Sequence, residues 1–139
     1  MELPVLVITT LSVVYLSMLC VMLSFRVIRI RRKEKIAVGD GGNEELMRAM
    51  RAQANLVEYS PFALILIACA EVNNVPTIVV GALALLFVIG RTIHPAGILG
   101  TSAFSARVRG MQMTILSMIG LAVLNVVWLL YLLVQHFLY

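Results

Sequence analysis

From Gly110 to Tyr139 the chain carries no Asp, Glu, Lys or Arg, and from Leu3 to Phe25 it carries none either. A helix of ~20 apolar residues covers the ~30 Å hydrocarbon core of a bilayer, whereas a helix on the surface of a soluble domain keeps a polar face. Runs this long and this free of charge commit the chain to lipid. Composition agrees, because 61% of the 139 residues are apolar and 13% are charged, against about 45–50% and about 25% in soluble domains. Disorder, a coiled coil, a disulfide scaffold and an ordinary soluble enzyme are excluded. A transmembrane β-barrel would show alternating segments of ~10 residues between turns. Here the apolar runs are continuous, so helices are expected.

Two further crossings lie between these runs, one built around LVEYSPFALILIACAEV and one around VPTIVVGALALLFVIG. The expected spans are 3–25, 47–72, 75–94 and 105–137, forming one all-α transmembrane domain over 1–139 as a four-helix up-down bundle. Four spans of ~20 residues leave no room for a separate soluble domain. Eight Lys and Arg residues fall between Arg26 and Arg51 and three between Arg91 and Arg109, which accounts for all 11 in the chain. The positive-inside rule puts both loops in the cytoplasm and both termini outside. The connection from Glu71 to Pro76 has no basic residue, and Trp128 and Tyr131 sit where an outer aromatic belt is expected. Arg29, Arg31, Arg32, Lys33 and Lys35 read as a topology determinant resting on anionic lipid. No aromatic interleaving accompanies them, so no nucleic-acid partner is expected. Cys20 and Cys69 lack the clustering of a metal site and read as small apolar residues.

The second helix carries polar residues where lipid-exposed ones are costly. Asn43 is placed to cap it, with Glu44 and Glu45 in the first turn, and Pro95 with the following glycine is expected to end the third helix. At 100° per residue, Arg48, Arg51, Asn55 and Glu58 fall within a stripe about 80° wide, and Glu44 lies on it too. A carboxylate at membrane depth costs several kcal/mol unless paired. The stripe is therefore either a self-satisfied seam that joins helices or a pocket for a polar, ionic ligand. Arg91 and His94 near the inner end of the third helix, and Arg107 and Arg109 at the start of the fourth, converge on the same level. No metal-ligand cluster, nucleotide loop or nucleophile–base pair is present, so a nucleophile would have to come from a cosubstrate.

RAMRAQANLVEYSPF (Arg48 to Phe62), GRTIHPAG (Gly90 to Gly97) and SARVRGM (Ser105 to Met111) resemble the MAPEG family, the membrane-associated proteins of eicosanoid and glutathione metabolism. The resemblance covers essentially the whole chain and looks towards the small bacterial branch, which implies a bacterial inner membrane. It also implies a homotrimer with glutathione as cosubstrate bound between subunits near the cytoplasmic face, and transferase or peroxidase chemistry on a lipophilic electrophile arriving from the bilayer. By position, Arg51, Asn55, Glu58 and Tyr59 match family glutathione contacts, with Gln53 joining them. Arg31 matches a basic contact at the end of the first helix, and Arg91 and His94 match the inner end of the third. Arg107 matches the arginine credited with stabilising the glutathione thiolate. Eicosanoid-forming members carry a tyrosine four residues after the position of His94. Ile98 stands there in this chain, so no eicosanoid activity is carried over. The competing expectation is a non-catalytic membrane binding or scaffold protein of the same fold. A small multidrug exporter would need an acidic residue in the first span, which lacks one.

Overall fold

Each apolar run becomes a helix because a backbone amide in lipid has no water to bond and must be satisfied within its own segment. The computed structural model describes residues 6–100 and 104–138. Within them lie α1 (Val7–Glu34), α2 (Glu44–Val72), α3 (Thr77–Leu99) and α4 (Phe104–Leu138), with no strand among the described residues. All four helices are long and apolar enough to cross a membrane. The expected start of the first span at Leu3 and the chain end at Tyr139 lie outside the described residues.

Two helices extend further than the apolar pattern alone implies. α1 continues past Phe25 to Glu34, so Arg26 to Lys33 ride on helix rather than in a loop. Lys and Arg are good helix formers and favour the negative end of the helix dipole, and no breaker intervenes. The helix ends at Lys35, which is left-handed at φ 55° and whose N–H returns to the Arg31 carbonyl. α3 runs through Pro95 to Leu99 instead of stopping there. Proline removes one helical bond, here to the Arg91 carbonyl, and buried membrane helices tolerate that loss. α2 has 29 residues, ~44 Å of helix, so it outruns the ~30 Å core. Asn43 caps it, its side chain accepting from Leu46 N–H at 2.9 Å.

α1 packs on α2 and α3, α2 packs on α3 and α4, and α3 lies most closely along α4; α1 does not reach α4. Leu16, Leu23, Leu56 and Phe87 form the central core. Ile67, Val75, Val80 and Leu121 fill the end near the α2–α3 turn, and Val27, Ile30, Leu46 and Ala49 fill the opposite, basic end. The outside of the bundle is apolar, with Phe25, Phe62, Ile78, Leu116 and Phe137 all strongly exposed. Only 11% of the most hydropathic stretch of α4 is buried. Such a surface is stable only against lipid or another subunit.

Candidate functional site: a cationic cleft at the basic end

The polar stripe of α2 is not satisfied within the helix. Glu44 and Arg48 pair at 3.0 Å in the first turns. Arg51 and Glu58 are both exposed and make no ion pair among the described residues. They are seven residues apart, about 10 Å along the axis, which is too far for a direct pair.

Asn55 turns inward to Arg91. The Arg91 side chain is 1% exposed. Its Nη1 donates to Asn55 Oδ1 at 2.7 Å and to the Asn55 carbonyl at 3.3 Å, and its Nε donates to Thr114 Oγ1 at 2.9 Å. Its Nη2 lies 3.8 Å from Met111 Sδ, and the guanidinium stands 5.2 Å from the centroid of the Tyr59 ring. Arg91 is thus a buried hub joining α2, α3 and α4, held by neutral oxygens and an aromatic face rather than by a carboxylate. Because Asn55 Oδ1 is occupied, the Asn55 NH2 is the group it can offer to anything beside it.

That neighbour is a cleft of about 580 Å³ between α2, α3 and α4. Arg48, Arg51 and Asn55 line it from α2, His94 and Ile98 from α3, and Phe104 and Arg107 from α4. His94 is buried, and its Nδ1 lies 2.9 Å from the Arg107 carbonyl. A carbonyl only accepts, so Nδ1 carries the proton and Nε2 remains the other functional nitrogen. The junction of α3 and α4 rests on three closely approached glycines, Gly90, Gly97 and Gly110. A Cβ at Gly97 would overlap the Arg107 backbone, and one at Gly110 would come within 2.7 Å of His94 N. Small residues let membrane helices approach this closely, and here they set His94 beside Arg107 across thirteen residues of sequence.

Of the residues singled out in the sequence, Arg51, Asn55, His94 and Arg107 meet in the cleft. Arg91 and Tyr59 stand behind it. Gln53 faces α1 instead, its Nε2 donating to Ser24 Oγ at 2.8 Å. Arg31 lies on the same flank, donating to the Ile36 and Ala37 carbonyls at 3.4 and 3.3 Å and approaching Met50 Sδ at 3.3 Å. Arg31, Gln53 and Glu58 do not line the cleft. Arg48, part of the stripe read from the sequence, also lines it, Phe104 lines it without having been singled out, and Gly97 and Gly110 build it. The glycines carried a legible signal, since both adjoin the polar motifs at the basic ends of α3 and α4.

Fold and site together define an integral membrane protein whose cationic cleft opens at the end of a four-helix bundle. The chain belongs to the MAPEG family, whose profile matches residues 9–134. It is 36% identical over 90 residues to the inner membrane protein YecN of Escherichia coli strain K12, a match covering 65% of this chain and 69% of YecN. YecN of E. coli O6:H1 matches with the same identity and coverage.

Proposed function

We propose that the protein is a glutathione-dependent transferase or peroxidase of the bacterial inner membrane, acting as a homotrimer on lipophilic electrophiles. The observation that carries this reading is the cleft itself, where Arg51, Asn55, His94 and Arg107 converge and no carboxylate among the described residues lines the wall. Glutathione bears two carboxylates, an ammonium, peptide amides and a thiol. Guanidinium forks bind carboxylates bidentately, and the free NH2 of Asn55 suits a peptide carbonyl. Glu58 is assigned the ammonium. Since Glu58, Arg31 and Gln53 lie outside the cleft of their own subunit, a second copy is required to complete the contact set. It would also cover the exposed Glu58, which lipid alone would leave unpaired.

Arg107 is assigned the thiolate. A cation ~4 Å from the sulfur in an effective dielectric of ~20 contributes about 4 kcal/mol, more than the ~2.7 kcal/mol that would raise the thiolate-to-thiol ratio about 100-fold. In the transferase reaction the thiolate sulfur bonds the electrophilic carbon as the leaving group departs with its electron pair; in the peroxidase reaction it attacks a peroxide oxygen, the O–O bond breaks to release an alcohol, and a second glutathione converts the sulfenic acid to disulfide and water. Arg107→Ala should abolish the ultraviolet thiolate signal of bound glutathione and lower turnover about 100-fold, with a smaller effect on binding. Retention of the signal in Arg107→Ala and its loss in Arg31→Ala would move the assignment to Arg31. Isothermal titration of the detergent-purified protein with glutathione and S-alkyl conjugates tests binding itself, and absence of heat at millimolar ligand overturns the reading.

Ile98 favours a second reading. It lines the cleft where eicosanoid-forming relatives carry a hydroxyl, so binding without efficient turnover is the alternative. Binding by titration with no conjugate formed from any electrophile would select it. The proposed orientation, with the basic ends cytoplasmic and the termini outside, is tested by reporter fusions at Tyr139 and in the Gly39–Gly42 loop. A cytoplasmic C-terminus would reverse it.

A further inference from the structure

On the side of the bundle away from α4, α1 and α3 meet along a second seam, and the face of α1 that borders it is graded in chemistry. Tyr15, Leu19, Met22, Arg26 and Arg29 follow one another at spacings of four, three, four and three residues, which stacks them on one side of the helix. At the deep end the Tyr15 hydroxyl donates to Thr92 Oγ1 at 2.8 Å, because the Thr92 proton is already given to the Val88 carbonyl at 2.8 Å. Towards the basic end a groove of about 510 Å³ opens, walled by Leu19, Met22 and Leu23 of α1 and Leu99 of α3, with Arg26 and Arg29 at its rim. Glu45 also reaches the rim, with one carboxylate oxygen 3.9 Å from Arg26 and both side chains well exposed. Arg29 makes no ion pair among the described residues.

We propose that this groove binds one anionic phospholipid of the leaflet on the basic side, its acyl chain along Leu19, Met22 and Leu23 and its phosphate between Arg26 and Arg29. Three observations point to a lipid rather than a soluble anion. The wall below the arginines is apolar, which a free phosphate would not use. The distance from Tyr15 to Arg29 is about 21 Å of helix, which spans half of a ~30 Å core plus the headgroup layer. The grading is complete along that length, from a closed hydroxyl pair through aliphatic side chains to guanidinium groups that match phosphate oxygens. Two guanidinium groups and one carboxylate leave the rim with a single net positive charge, complementary to a headgroup carrying one negative charge. The site shares no lining residue with the α2–α3–α4 cleft and does not depend on the function proposed for it.

Native mass spectrometry of the full-length protein, titrated with phosphatidylglycerol and with phosphatidylcholine of identical chains, tests the proposal. A phosphatidylglycerol adduct should persist where the phosphatidylcholine adduct is lost. The Arg26→Gln/Arg29→Gln variant should bind phosphatidylglycerol roughly 30-fold more weakly, from the usual contribution of basic residues at an anionic surface. Arg32→Gln/Lys35→Gln removes the same charge from the same region outside the groove and should change affinity less than about threefold. Glu45→Gln keeps both arginines and should tighten binding, so it carries the test even if the double variant fails to fold. Equal retention of the two lipids, equal losses in the two double variants, weaker binding in Glu45→Gln, or displacement of the lipid by inorganic phosphate would each overturn the proposal.

Discussion

The two ends of the bundle differ in how completely the fold consumes their polar side chains. At the end that holds the α2–α3 turn, polar groups are committed to the fold. Glu71, at the end of α2, accepts from Ile8 N and Thr9 N at 2.8 and 2.7 Å and from the Thr9 hydroxyl at 2.6 Å. It therefore caps α1, whose own N-cap, Leu6, supplies no side-chain bond. Trp128 Nε1 donates to the Asn73 carbonyl at 2.8 Å, and Asn125 Nδ2 donates to the Leu66 carbonyl at 3.0 Å. At the basic end Arg51 and Arg107, and at mid-helix Glu58, make no ion pair among the described residues. Helix packing there rests on the Arg91 hub and on the close glycine contacts at Gly90, Gly97 and Gly110. An end stapled by its polar side chains is built for stability. The basic end buries Arg91 in its packing but leaves Arg51 and Arg107 lining a cleft without an ion pair among the described residues.

Breaking the glycine contact should have the largest effect. Gly97→Val places a branched Cβ against the Arg107 backbone, which no rotamer relieves, so α3 and α4 must separate. A cost of about 3 kcal/mol or more is expected, read as a large fall in melting temperature together with loss of glutathione binding. A normal melting curve would show that the helices do not meet there.

Glu58→Gln sharpens the contrast from the ligand side. Charge-assisted contacts are worth roughly 1.5–3 kcal/mol, so glutathione affinity should fall about 10- to 150-fold while the melting temperature and the oligomer persist. Loss of the oligomer with affinity unchanged in the surviving protein would make Glu58 a structural residue.

Glu71→Gln should do the reverse. The amide keeps one acceptor oxygen but loses the other and the charge at the α1 terminus, at a cost of about 1.5 kcal/mol. Thermal unfolding should register this, with ligand titration unchanged. If Glu71→Gln weakens glutathione binding as much as Glu58→Gln does, the division between the two ends fails.

The smallest effect is expected at the exposed Glu44–Arg48 pair. Glu44→Gln should cost about 0.3–0.5 kcal/mol, and that loss should disappear in high salt. A larger, salt-independent loss would place the pair at a covered interface.

Lipid made much of the architecture legible in advance. Charge-free runs must be helical where water is absent, so four helices could be read from residue types alone. The cap of α2 at Asn43 and its first turn at Glu44 and Glu45 followed from local chemistry, because capping involves only neighbours in sequence. Family motifs marked Arg51, Asn55, His94 and Arg107. What each of these residues does to the others was not local. Periodicity places Asn55 on the stripe with Arg51 and Glu58, yet only the packing of α3 against α2 brings Arg91 to its oxygen and leaves its NH2 free. Glu71 looked like part of a surface turn, and its partners lie more than sixty residues away. Proline's local preference put the end of α3 at Pro95, whereas the helix runs on to Leu99 against α4. The sequence by itself determined that this chain lives in a bilayer as helices, since that follows from the transfer cost of each residue and peptide group. Tertiary structure alone decided which polar groups are consumed by the fold and which face an open cleft, because that depends on distances between helices that no single helix encodes.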